Sequence, residues 1–150
     1  MCIESTELIR VATRNIVVYK CVLKKYVPDN RWGDFTSHEY STIFRDFDGY
    51  TIYYNHNSPL ITLDKLYNSV GFAGGYGFHS FSTVQLAKEY GYGCLILEPK
   101  SIAILKGYIP KNSKYQRGKI DKHYYGAGLR AIRSEKIVLV EAIPFNFTQH

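Results

Sequence analysis

Asn15–Ile–Val–Val–Tyr–Lys–Cys–Val–Leu–Lys–Lys25 decides the fold. β-Branched and aromatic side chains dominate it, and they fit a pleated, packed surface better than a helix. Its apolar residues run nearly unbroken instead of alternating, the pattern of a strand covered on both faces. The stretch therefore predicts a strand at the centre of a sheet. Ser101–Ile109 (SIAILKGYI) and Lys136–Ile143 (KIVLVEAI) predict further strands, stopped by Pro110 and Pro144. Proline has no N–H for a ladder, so each strand ends there.

Gly93–Glu98 (GCLILE), before Pro99, predicts a further strand. Ser37–Phe47 alternates polar and aromatic residues, Tyr50–Tyr54 is strand-like, and Phe47–Asp48–Gly49 carries the Asp–Gly signal of a tight hairpin. Val27–Asp34 holds Pro28, Asp29, Asn30 and Gly33, a turn-forming loop bearing Trp32, and Asn55–Pro59 is a second loop. Leu60–Val70 fits a short helix or an extended segment. Residues 5–14 fit a short helix capped at Ser5 or Thr6, or an irregular lead-in. Lys111–Arg130 shows little apolar periodicity and reads as a long loop. The expectation is an α+β fold in a single domain over residues 1–150, with a mainly antiparallel sheet and one clear helix (about 83–90) packed on it.

That helix follows the most distinctive segment, Gly71–Phe–Ala–Gly–Gly–Tyr–Gly–Phe–His–Ser–Phe–Ser82. Ser82 and Gln85 have the spacing of a capping box, and Gly91 suits the residue just past the helix. Glycines at Gly74 and Gly75 allow close backbone approach to a ligand, and a loop feeding a helix start can offer amides to an anion. The spacing is neither GxxxxGK[ST] nor GxGxxG.

The chain has 150 residues, enough for one core, and its 14 Tyr and 8 Phe make it unusually aromatic. Charge is lopsided. Residues 99–136 carry ten Lys/Arg against Asp121 and Glu135, a net of +8, whereas the remaining nine basic and eleven acidic residues give −2, for +6 in all. A segmental excess points to an anionic partner; the bland alternative is a solvated basic surface. Cys2, Cys21 and Cys94 form no close pair, so disulfide and zinc frameworks are not expected, and free thiols fit a reducing cytosol. The first residues lack a signal-peptide pattern, and no apolar run reaches the ~20 residues of a membrane span. A cytoplasmic location without membrane partners is expected, in the host cytoplasm if the protein is viral.

Nucleotides need cations for phosphate and flat faces for bases. Arg117, Lys119, Arg130 and Arg133 supply charge, with Lys122 beside them. Tyr76, Tyr124 and Tyr125 supply faces, with Phe78 and Tyr115 as further rings. His79 and His123 are the histidines placed to join such a site, either as ligand contacts or as an acid–base pair. Two-histidine phosphodiesterases use paired His-x-Ser/Thr motifs, and only His56–Asn57–Ser58 matches here. The histidines are scattered without HExxH, no GxSxG is present, and Cys94 lies in an apolar run. No catalytic residue, metal or cofactor is therefore assigned.

Asn15–Ile–Val–Val–Tyr–Lys20, Gly77–Phe–His–Ser–Phe81, Ile109–Pro–Lys–Asn–Ser–Lys–Tyr115 and Ser134–Glu–Lys–Ile–Val–Leu–Val–Glu141 together resemble a loose group of small phage and gut-bacterial proteins. The resemblance spans about residues 15 to 143 and implies a counter-defence role: a sponge for cyclic nucleotide or cyclic ADP-ribose immune signals, or an anti-CRISPR protein. A fainter similarity is to ADP-ribosyltransferases, with Phe81–Ser82–Thr83 in place of their Ser-Thr-Ser and no ExE or QxE before the last strand. The expected function is binding of a small nucleotide-derived anion by a homo-oligomer, without transformation. The alternatives are a protein-binding inhibitor whose partner is a host defence protein, and a nucleotide-acting enzyme.

Overall fold

The computed structural model describes residues 3–4, 7–28, 36–41, 61–94 and 102–144. Within them lie β1 (Ile3–Glu4), β2 (Arg10–Val11), β3 (Ile16–Pro28), β4 (Thr36–Ser41), β5 (Leu66–Asn68), β6 (Phe78–Ser80), α1 (Val84–Lys88), β7 (Ile102–Ile109), β8 (Lys114–Ile120), β9 (Arg130–Ser134) and β10 (Lys136–Ala142). Every pairing among them is antiparallel. The molecule is a small α+β domain, as its apolar runs predict. No helix among the described residues is long and apolar enough to cross a membrane.

One sheet has the order β1–β8–β9–β6, with β2 also on β8, and the other β4–β3–β7–β10–β5. Three long chain segments belong to both. β2 leads into β3, β7 into β8 and β9 into β10, and each bends where it passes from one sheet to the other. Pairing of Arg10 with Tyr115 keeps the same register as pairing of Ile16 with Ile109, so one ladder turns the corner intact. The corner is stitched by Ala12 N–H to Ser113 O (2.9 Å), Asn112 N–H to Ala12 O (2.8 Å) and Glu135 N–H to Lys114 O (2.9 Å). Pro110 and Asn112, the latter at φ 72°, make the bend on the central segment. On the far side, Tyr19 and Phe81 exchange both backbone hydrogen bonds at 2.8 Å, joining β3 to the end of β6. The two sheets thus wrap a common interior, the arrangement expected when strands switch sheets through bends.

Both faces of β7, and of β3 over residues 18–22, are covered. Val18, Val22, Leu105, Ile109, Ile132, Leu139 and Phe78 form the interior cluster. Cys21, Ile102, Ile104, Ile120, Ala131, Phe81, Ala87 and Tyr90 form a second cluster beneath α1. Ile102 and Ile104 enter one cluster while Ala103 and Leu105 enter the other. This double burial is why SIAILKGYI shows no polar alternation. Each large aliphatic or aromatic side chain so buried contributes roughly 1.5–3 kcal/mol.

The structure corrects several sequence expectations. Lys111–Arg130 is not a loop, because Lys114–Ile120 is β8, with Gly118 and Ile120 buried and Lys119 exposed. β9 has no counterpart in the sequence reading. Of the readings left open, residues 7–14 are not helical and hold the two-residue β2, and residues 61–70 follow the extended alternative, contributing β5. Thr83, not Ser82, caps α1, accepting the Leu86 N–H on Oγ1 at 3.1 Å. Gly91 does not end the helix, and Gly93 and Cys94 do not start a strand. α1 passes into a π-helical stretch, Glu89–Cys94, in which Gly91 is buried. A Cβ on Gly91 would overlap Cys21 Sγ, so the wider helix and the glycine together let this segment lie against β3. Trp32, the Phe47–Gly49 turn, Tyr50–Tyr54, Asn55–Pro59 and residues 95–98 lie outside the described residues.

Gly107 sits where β7 meets β10, and a Cβ there would collide with the Val138 carbonyl and stand 2.9 Å from Leu139 Cα. Both obstacles are backbone in the middle of a sheet, so neither can rotate away. Gly107→Ala is therefore expected to lower stability by roughly 1–3 kcal/mol, read as a fall in the urea midpoint at unchanged slope.

Candidate functional site

Phe72–Gly74 forms one 3₁₀ turn, closed by Gly75 at φ 97°, and Gly77 then takes φ 138°. A Cβ at Gly77 would stand 2.7 Å from Ser134 O and 3.1 Å from Arg133 Cγ. The glycine thus lets the loop press onto β9. The amides of Gly74, Gly75 and Tyr76 donate to Gly71 O, Phe72 O and Gly71 O at 3.0, 3.2 and 3.0 Å. These N–H groups are used inside the loop, which therefore does not form the phosphate-binding amide cradle that its glycines suggested.

Its carbonyls face inward instead, toward Arg133. That side chain is buried on β9, and its Nη1 donates to Phe72 O and Tyr76 O, both at 2.6 Å. Nη2 donates to Gln116 Oε1 at 2.8 Å, and the guanidinium lies 4.0 Å from the centre of the Phe72 ring. The expectation that Arg133 neutralises a ligand is corrected. Its charge is held under the loop by carbonyl dipoles and an aromatic face, and it positions Gly74, Gly75 and Tyr76 instead of reaching solvent.

His79 is the direct cross-strand partner of Arg133. It is 7 % exposed, its Nε2 has no hydrogen-bond partner, and its backbone carbonyl accepts Lys20 Nζ at 2.8 Å. Burial holds its pKa well below the usual 6.5, and the neighbouring charges of Lys20 and Arg133 push it the same way. His79 is a neutral, enclosed imidazole, which corrects its assignment as a ligand contact. His123, by contrast, is exposed in the turn after β8, its N–H bonded to Asp121 Oδ1 at 2.9 Å. The two histidines occupy different environments, with no acid–base pairing between them. Burial likewise pushes the Cys21 thiol up to about 12, so it is inert packing.

The remaining predicted cations come together on one ladder. Lys119 and Arg130 are direct partners across β8 and β9, and Arg117 lies two residues before Lys119 on the same face of β8. Arg117 stands 5.6 Å from the centre of the Tyr115 ring. Lys119 and Arg130 are exposed, and Arg130 Nη2 is 3.6 Å from Glu7 Oε1. Residues 121–129 connect these strands by successive turns, with Gly126 at φ 82° and Gly128 at φ 88°. Tyr124 and Tyr125 are 41 % and 59 % exposed there. A Cβ on Gly126 would meet Tyr90 at 2.8 Å, so the turn is packed down on the second cluster with its tyrosines outward.

Sequence reading missed Gln116, Glu7 and Lys20. Gln116 joins two parts of the site, accepting from Arg133 on Oε1 and donating from Nε2 to Glu7 O at 2.9 Å. Its signal lay in the alternation of Tyr115, Arg117 and Lys119 against Gln116, Gly118 and Ile120, legible once that segment is read as a strand. Among the described residues no three His, Cys, Asp or Glu side chains cluster as a metal site would need.

Two measurements test this assignment. Arg133→Gln leaves loop carbonyls without their partners and is expected to cost about 3 kcal/mol or more, since each lost charge-assisted bond contributes about 1.5–3 kcal/mol. His79 in the unfolded chain protonates near 6.5 and in the folded chain only below that. Between those values the unfolded state binds the additional proton, so stability falls as pH falls. Urea midpoints of wild type should therefore drop on acidification below about pH 6.5, and His79→Gln should show a shallower drop.

No protein-family model, curated protein or solved structure matches this chain.

Proposed function

We propose that this domain binds a small nucleotide-derived anion on the Arg117–Lys119–Arg130 face of β8 and β9, and releases it unchanged. The observation that carries the reading is the Lys119–Arg130 pair. Like charges directly opposite on neighbouring strands destabilise a sheet, and an anion held between them reverses the sign of that term. The Tyr115 ring beside Arg117, and the exposed Tyr124 and Tyr125 on the connecting turns, provide flat faces for a base. His79 and Arg133 serve the scaffold, which favours recognition over acid–base chemistry at this position. The resemblance to phage counter-defence proteins directs the choice of ligands toward cyclic nucleotides and cyclic ADP-ribose, sequestered in the bacterial cytoplasm.

The exposure of Tyr76, Tyr124 and Tyr125 favours a second reading, a protein-binding surface, because tyrosine is enriched in interfaces. Thermal shift against cyclic di-AMP, cyclic tri-AMP, cyclic ADP-ribose and ADP separates the two. Stabilisation by several degrees, with the ligand recovered intact after heat denaturation, supports the binding reading. No shift with any of them favours the protein surface, and a converted ligand favours an enzyme. Lys119→Gln gives a further check. It should weaken the bound nucleotide by about 1.5–3 kcal/mol, while the ligand-free protein keeps its stability or gains up to about 1 kcal/mol from losing the like-charge pair.

A further inference from the structure

We infer that the end of the interior between β3, β4, β7 and β10 is a second binding site, for a small aliphatic carboxylate. Side chains two apart on a strand share a face, and direct partners on neighbouring strands share it too. Val22 and Lys24 therefore lie on one face of β3, with Ala103 opposite Val22 and Ala142 opposite Leu105. Val22, Ala103 and Leu105 belong to the interior cluster. The two alanines fill less space than the Val22 and Leu105 beside them, and both line a cavity of about 250 Å³.

Its two sides differ in chemistry. Ile102, Ile143 and Pro144 complete an aliphatic wall, which the Ile143 N–H holds to β7 through Ile104 O at 2.8 Å. Lys24 and Tyr40, direct partners across β3 and β4, bring an ammonium and a phenol to the same cavity. β4 is held there in turn, its Tyr40 carbonyl accepting the Ile61 N–H at 2.8 Å. Glu141 adjoins Ala142 but falls on the other face of β10, opposite Lys106, so that strand brings no carboxylate to the cavity. The wall draws an apolar body out of water, and the ammonium matches a single negative charge. The volume lies just below the ~300–1,000 Å³ of pockets for drug-sized ligands. The occupant is therefore smaller than a nucleotide and distinct from the ligand proposed for the β8–β9 ladder.

Hexanoate is the probe, titrated into the protein and followed by isoleucine methyl NMR. Shifts should centre on Ile102 and Ile143. Hexanamide has the same length without the charge, and it should bind about two- to fivefold more weakly, as should hexanoate to Lys24→Gln. Shortening the probe to butanoate should cost about fourfold for each methylene removed. Ala142→Leu fills the cavity from an exposed position, so it should abolish binding while the urea midpoint stays near that of wild type. Absence of shifts at Ile102 and Ile143, equal affinity for hexanamide and hexanoate, unchanged affinity in Lys24→Gln, or undiminished binding in Ala142→Leu each overturns the proposal.

Discussion

A buried guanidinium holds the glycine loop and β8 to β9. Arg133 stands on β9 with donors aimed at two loop carbonyls and at Gln116, and its flat face lies against Phe72. A charge taken from water is strongly unfavourable unless its hydrogen bonds are replaced. The loop supplies the replacement, and this explains its composition. A chain that must turn carbonyls toward one cation while pressing its backbone on β9 needs positive φ at Gly75 and Gly77, and no Cβ at Gly77. The glycines that resemble a phosphate loop thus solve a different problem, solvating a cation with carbonyls instead of an anion with amides.

The same arrangement makes the local electrostatics one-sided. His79 lies opposite Arg133, and its carbonyl is bonded by Lys20, so protonating the ring would add a third positive charge to an enclosed space. Burial is the main reason the imidazole stays neutral, and these charges push it the same way. Polar groups here are organised around a cation already in place, and the outer ladder of Lys119 and Arg130 lies apart from them. Gln116 lies between the two, touching Arg133 with one end of its amide and the Glu7 backbone with the other.

The parts of the fold legible in the sequence are those whose physics is local. Continuous apolar runs announced β3, β7 and β10, and Pro110 marked where the central segment bends. β8 was hidden because KYQRGKI has few apolar residues, and its buried face is made by Gly118 and Ile120 beneath the turn at Gly126. β9 was hidden because RAIRS is short, yet it is buried from Ala131 to Ser134 by strands distant in sequence. Thr83 displaced Ser82 as cap because Phe81 is held to Tyr19, which fixes where the chain leaves the sheet. The π-helical stretch at Gly91 depends on Cys21, seventy positions earlier in the chain, and nothing near the helix encodes it.

Arg130 and Arg133 show why the site was only half legible. Both belong to one strand and to one basic segment, and composition treats them alike. Successive side chains on a strand point to opposite faces, so residues three apart cannot share one. Arg133 falls on the face shared with Gln116 and enclosed by the glycine loop, whereas Arg130 falls opposite Lys119 at the exposed start of β9. The pleat thus separates a cation that builds the scaffold from one at the surface, where it is paired with Glu7. The +8 segment is the sum of two populations with opposite roles, and only the pairing of β8 with β9 tells them apart.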